Sequence, residues 1–133
     1  MQDCIFCKIA AGGLSARKVY EDKDFLAFLD IRPLTKGNTL VIPKSHHRWV
    51  DDVPNFGEYF EVAKKIGKKA KDNLGADWVS YITLGMEVPH AHIRVIPRYK
   101  DDLHHGLVDI NKFEKFDEAQ LDEIAAKLRE GGI

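Results

Sequence analysis

The segment Glu87 to Arg98, EVPHAHIRVIPR, alternates in a way that leaves few folds open to the chain. His90, His92 and Arg94 fall at every second position, and Ala91, Ile93 and Val95 fall between them. Side chains at i, i+2 and i+4 of a β-strand share a face. The spacing therefore predicts a strand with one apolar face in the core and two imidazoles and a guanidinium opposite. That second face is either a polar outer surface or a site. A strand of this kind needs neighbours, and the chain offers four. Lys18 to Tyr20 and Phe25 to Leu29 read as short strands joined by a turn at EDKD. NTLVIP is a third, introduced by Lys36-Gly37-Asn38 and closed by Pro43, and DWVSYITL and AHIRVIP complete the set. Between them, Phe56, Tyr59, Phe60, Ala63, Ile66, Ala70 and Leu74 follow helical spacing, with Gly75 as the stop. Asp117 with Gln120 makes a capping pattern for a last helix through Leu121, Ile124, Ala125 and Leu128, ended by Gly131. Successive strands with short turns favour an antiparallel five-stranded sheet carrying helices on one side, an α+β fold.

A chain of 133 residues is one domain, 1–133, long enough to bury a proper core. The formal net charge of −1 supplies no general attraction to nucleic acid or to an anionic membrane. The lysines of the long helix fall largely opposite its apolar positions. That pattern is a solvated face before it is an RNA-binding one. No apolar run approaches the roughly 18 residues of a membrane span. The start, MQDCIFCKIAAGG, lacks a basic n-region and a long apolar h-region, so a cytoplasmic protein is expected. In that compartment Cys4 and Cys7 are reduced thiols or metal ligands and not a disulfide. His104 and His105, in KDDLHHG, are expected in a solvated loop.

Imidazoles at i and i+2 can ligate a metal, supply a nucleophile, or be structural. Neutral imidazole is a competent nucleophile toward phosphorus, and a covalent intermediate divides one hard displacement into two easier ones. Arg94, one step beyond His92 on the same face, suits such chemistry twice over. Its fixed charge can hold phosphate oxygens, and it disfavours the imidazolium form of His92. At the other end, Cys4-Ile5-Phe6-Cys7 has the two-residue gap that lets both sulfurs meet one ion. His46 or His47, together with His90, could complete a Cys2His2 set. The alternative is that both cysteines are small buried hydrophobes beside Ile5 and Phe6.

Three blocks, CIFCKI, FLAFLDIRPLTKGNTLVIPKSHH and GMEVPHAHIRVIPR, resemble the histidine triad (HIT) superfamily in content, order and spacing, over Cys4 to Arg98; residues 99–133 form a C-terminal extension. The resemblance implies a HIT-like fold whose sheet continues across a twofold homodimer. It implies hydrolysis or nucleotidyl transfer at the α-phosphate of a nucleoside phosphate, phosphoramidate or dinucleoside polyphosphate, through a covalent nucleotidyl-histidine. The partner implied is a purine nucleotide or nucleotide conjugate. His92 matches the family's nucleophile, and His90 and Arg94 match the flanking triad positions. Cys4, Cys7, His46 and His90 match the structural zinc ligands of zinc-carrying relatives. Asp30 matches the residue that holds the ribose hydroxyls. Phe6, Ile9, Phe28 and Ile31 match the base pocket, and Gly85 and Glu87 lie at its phosphate end. Two departures stand out: Arg94 replaces the third histidine, where transferase relatives carry glutamine, and the Gly-rich phosphate loop is reduced to TLGMEV. A catalytically weakened nucleotide-binding or scaffold protein is the alternative these departures suggest.

Overall fold

The computed structural model describes residues 3–132. Five strands, β1 (Lys18–Glu21), β2 (Phe25–Leu29), β3 (Thr39–Pro43), β4 (Trp78–Ile82) and β5 (Ile93–Arg98), form one sheet in the order β1-β2-β3-β5-β4. Every neighbouring pair is antiparallel. This is the five-stranded antiparallel sheet that the alternation predicted. Residues of β2 and β3 are buried throughout, because both faces of the sheet centre are covered.

One face carries α2 (Phe56–Leu74) and α3 (Glu118–Arg129). Both helices run as their spacing predicts. Gly75 ends α2 at φ 74, the left-handed conformation that glycine adopts without a Cβ penalty. Asp117 and Gln120 exchange backbone hydrogen bonds at the start of α3, at 2.7 and 2.9 Å. Its helical bonds stop at Glu130, one residue before the expected glycine. Ala91, Ile93 and Val95 enter the core on this face with Tyr59, Ala63 and Ile66 of α2 and Leu128 of α3. The Tyr59 hydroxyl donates to the Val41 carbonyl at 2.8 Å, which satisfies its one buried donor. No helix among the described residues is long and apolar enough to cross a membrane.

The other face was only partly foreseen. A six-residue helix, α1 (Ile5–Ala10), packs Phe6 and Ile9 against Leu26, Phe28, Leu40 and Ile42. Its N-cap is Cys4, whose sulfur accepts from the Cys7 N–H at 3.3 Å. So the helices do not all lie on one side. The fifth strand is also shorter than its alternation: pairing with β3 begins at Ile93, opposite Val41. The ladder stops there because Pro43 has no N–H to offer. The Pro43 carbonyl is taken instead by the His90 ring, at 2.8 Å. His90 to His92 form a lead-in to β5 outside the ladder, held by the Ala91 N–H bonding the His47 carbonyl at 2.7 Å.

Candidate active site and metal centre

The short α1, the turn after β3 and the lead-in to β5 converge on four side chains. The ligand atoms of Cys4, Cys7, His46 and His90 all lie within 4.8 Å of one another. Cys4 Sγ is 3.2 Å from His90 Nδ1, and Cys7 Sγ is 3.2 Å from His46 Nδ1 and 3.4 Å from His90 Nδ1. A tetrahedral zinc bound by sulfur and imidazole nitrogen sets its ligand atoms about 3.3–3.8 Å apart, so these separations suit one ion. The tautomer of His90 suits it as well. A carbonyl can only accept, so the bond to Pro43 places the proton on Nε2 and leaves the Nδ1 lone pair facing the sulfurs. Without a cation, burial first and the adjacent Cys4 sulfur second push the Cys7 thiol pKa up. A bound cation reverses that balance by favouring thiolate. These four residues can hold a metal ion.

Beside this cluster lies a cavity of about 730 Å³, within the usual range of small-molecule sites. His92, Arg94, Asp30 and Glu87 line it together with Phe6, Ile9, Phe28 and Ile31. His92 is 3% exposed, and its Nδ1 sits 2.8 Å from the His90 carbonyl. That contact again fixes the tautomer, with Nδ1–H donating and Nε2 keeping its lone pair. Phe6 meets the His92 ring edge to face at 5.3 Å, which restricts its rotation. Burial chiefly lowers the His92 pKa, and Arg94 lowers it further, against the opposing pull of the His90 and Leu84 carbonyls. Burial and Arg94 together thus favour the neutral form of the His92 ring.

Arg94 is half-buried, and its Nε is a buried donor with no partner among the described residues. Such a donor is normally satisfied, so an anion seated here would complete the site. Asp30 accepts from the Arg32 N–H at 2.9 Å. Burial raises its carboxyl pKa, opposed by that bond, Arg94 and His92. The sign of this shift makes a prediction. A carboxylate whose folded pKa lies above its unfolded one favours folding only while protonated, so stability falls as pH rises through the folded value. Asp30→Asn is expected to raise Tm at neutral pH, with the gain shrinking toward zero in acid. Thermal melts of both proteins across that pH range check it. A lower Tm for Asp30→Asn at pH 7 would sink the idea.

The residues singled out in the sequence do not all point into the cavity. His90 is fully buried with both ring nitrogens engaged, and it reaches the cavity side only through its backbone carbonyl. Gly85 lies behind the lining, its carbonyl accepting from Arg48 at 2.7 Å. Ile31 is 78% exposed, so it is rim and not core, whereas Phe6, Ile9 and Phe28 both line the cavity and pack the second cluster. His105 is exposed as expected, but His104 is buried at 5%. Its two ring nitrogens bond the backbone of Leu34 and Asp109, which excludes a solvated role. Sequence reasoning missed the far wall altogether, built from Ile110, Asn111 and Phe113 with Arg17, Glu118 and Asp122 at its edge.

This sheet, with two cysteines and two histidines clustered beside a cavity-lining imidazole, defines a class that comparison with known proteins identifies. The chain belongs to the HIT domain family, which matches residues 12–101. It is 38% identical to an uncharacterised HIT-like protein of Methanocaldococcus jannaschii, over 95% of this chain and 98% of that one. It is 34% identical to an adenosine 5'-monophosphoramidase of Saccharomyces cerevisiae, over 79% of this chain and 67% of the yeast protein. A Zn-bound histidine triad family protein from Mycobacterium smegmatis has the same fold, with a TM-score of 0.80 at 33% identity over 96% of this chain and 91% of that one.

Proposed function

We propose that the protein is a nucleotide phosphohydrolase or nucleotidyltransferase that works through a covalent nucleotidyl-His92. The carrying observation is the tautomer of His92: Nδ1–H is tied to the His90 carbonyl while Nε2 is left as the nucleophilic atom in a cavity with an unpartnered arginine. The activity named for the yeast relative, a monophosphoramidase acting on an adenosine 5'-nucleotide, supports the substrate class. Nε2 attacks the α-phosphorus in line, and the P–N bond forms as the bond to the leaving group breaks. The leaving group departs with the bonding pair and takes up a proton from solvent. Water, or an acceptor hydroxyl in a transferase, then attacks phosphorus and gives up its proton to solvent, the P–N bond breaks, and the imidazole recovers its lone pair. The ring carries positive charge in the intermediate, which the His90 carbonyl stabilises through Nδ1–H. Arg94 meets the charge on the phosphoryl oxygens, the group of effects that dominates phosphoryl transfer. Asp30 holds the ribose. Rapid quenching after mixing with adenosine 5'-phosphoramidate, followed by peptide mass spectrometry, tests the reading. An adenylyl group on the His92 peptide supports it, and turnover without one sinks it.

Arg94 separates an active enzyme from a weakened nucleotide-binding protein. Arg94→Ala is expected to lower kcat/KM about ten- to a hundredfold, since a charge-assisted contact to phosphate is worth roughly 1.5–3 kcal/mol. It should also let the His92 pKa rise, and Arg94→His should recover part of the rate. A pH–rate profile with histidine NMR reads both; unchanged rate and titration would place the guanidinium outside the mechanism.

The metal bound by Cys4, Cys7, His46 and His90 is zinc in this reading, and its role is structural. All four ligands are protein atoms, which leaves no open position for substrate. When bound, it would hold α1 to the turn after β3 and to the lead-in to β5. The protein is further proposed to be a homodimer that pairs its β4 edges, since β4 has one neighbour and exposes Trp78 and Tyr81 by 45% and 44%. Sedimentation should give twice the 15.1 kDa chain mass, and a 15.1 kDa particle at micromolar concentration would refute the pairing.

A further inference from the structure

His104, left without a role by the sequence, fastens a loop that the proposed chemistry does not use. Its Nε2–H donates to the Leu34 carbonyl at 2.9 Å, and its Nδ1 accepts the Asp109 N–H at 3.0 Å. At the other end of the same loop the Glu114 N–H bonds the Pro33 carbonyl at 2.9 Å. Residues 104–114 are thus anchored at both ends to two consecutive carbonyls, the geometry of an Ω-loop. Those carbonyls follow directly on Asp30 and the cavity rim. The root of the loop is held from beneath by buried Arg98, which bonds the His104 and Gly106 carbonyls, each at 2.7 Å. Its middle is turned by the Asn111 N–H bonding the Asp109 carboxylate at 2.9 Å. The result is a stiff strap whose outer residues, Ile110, Asn111 and Phe113, line the same cavity as His92.

The arginines around the cavity give it a direction. Arg17 is committed to Asp122 and Glu118, and Arg32 lies over the Phe113 ring at 4.3 Å. Among the described residues only Arg94 has a buried donor without a partner, so phosphate belongs beside Arg94 and the base elsewhere in the cavity. To that same cavity the strap presents an aromatic ring and an amide. An aromatic ring packs on the face of any base, while an amide both donates and accepts and so can match the edge of a particular one. The strap also lies outside residues 12–101, so the wall is separate in sequence from the chemistry.

We infer that residues 104–114 are the base-recognition wall of this site, with Phe113 and Asn111 as specificity-determining residues and His104 as the positioning residue that sets the wall. The inference rests on the reading of the cavity as a nucleotide site. The test uses calorimetric and NMR titrations of the full chain with AMP, GMP, CMP and ribose 5-phosphate. Ribose 5-phosphate occupies the Asp30–Arg94 end alone. Phe113→Ala is expected to weaken AMP binding about tenfold, the scale of a lost base–aromatic contact, while ribose 5-phosphate changes by less than about twofold. Phe113→Tyr should bind like wild type. Asn111→Ala should bring the affinities for the three nucleotides closer together. His104→Asn, which loses the reach to Leu34, should reproduce the base-dependent loss with ribose 5-phosphate binding intact. Wild-type AMP affinity in Phe113→Ala, or equal losses for AMP and ribose 5-phosphate, would overturn the wall. A wild-type protein that binds neither ligand would instead overturn the nucleotide reading, and the wall with it.

Discussion

His92→Ala is expected to lower kcat about a thousandfold or more while the protein stays folded and still binds nucleotide. The size follows from the role: deleting a covalent nucleophile removes the low-barrier route outright, and residual rate comes only from positioning and electrostatics. Survival of the fold follows from where the ring sits. It packs by edge contact on Phe6 and bonds one backbone carbonyl, so the substitution leaves a small void open to an existing cavity. Binding should survive because the proposed ribose and phosphate contacts lie with Asp30 and Arg94. Steady-state turnover and AMP titration of the purified variant check the two halves independently. More than a tenth of wild-type kcat would remove His92 from the chemistry.

The second large effect concerns the metal. The purified protein is expected to contain about one zinc per chain, and Cys4→Ser or strong chelation is expected to lower Tm by about 10 °C or more. Three segments distant in sequence converge on these four ligands, and binding to the folded state alone adds its full free energy to stability. Each kcal/mol moves the midpoint of a domain this size by roughly 3–5 °C, so losing a few is easily seen. α1 should feel the loss most, since a six-residue helix is not stable alone. Elemental analysis and thermal melts make the measurement. A metal-free protein of unchanged Tm would return Cys4 and Cys7 to the role of buried hydrophobes.

Much of this architecture is legible in the chain because its signals are local. The 3.6-residue period from Phe56 to Leu74 and the glycine after it mark α2 at both ends. Asp117 and Gln120 announce α3 in the same way. What stayed hidden depends on distant partners. α1 has too few residues to show a period, and its cap is a cysteine, outside the usual capping set. The alternation through His90 and His92 reads as paired strand, yet the ladder ends at Ile93 because a proline 50 residues earlier withholds its N–H. His104 sits among polar loop residues, and nothing nearby signals that its partner is the carbonyl of Leu34. At the site, the cavity-lining His92 and Arg94 and the Cys4, Cys7, His46 and His90 cluster carried a recognisable pattern. The wall of Ile110, Asn111 and Phe113 did not, because its place is set by backbone bonds and not by residue spacing.

His90 bears on how substitutions in this protein should be interpreted. Its Nδ1 faces the sulfurs, its Nε2 bonds Pro43, and its carbonyl orients His92. Two of these belong to the side chain and one to the backbone, which every amino acid supplies. A genetic screen that scores activity alone would register residue 90 as indispensable and group it with the nucleophile. The phenotype would arise elsewhere, in a chain whose Cys4, Cys7, His46 and His90 cluster is broken, which folds poorly and is cleared by proteolysis. Supplying the same variant with growth at low temperature would then rescue its abundance, which is the behaviour of a folding lesion and not of a missing catalytic group.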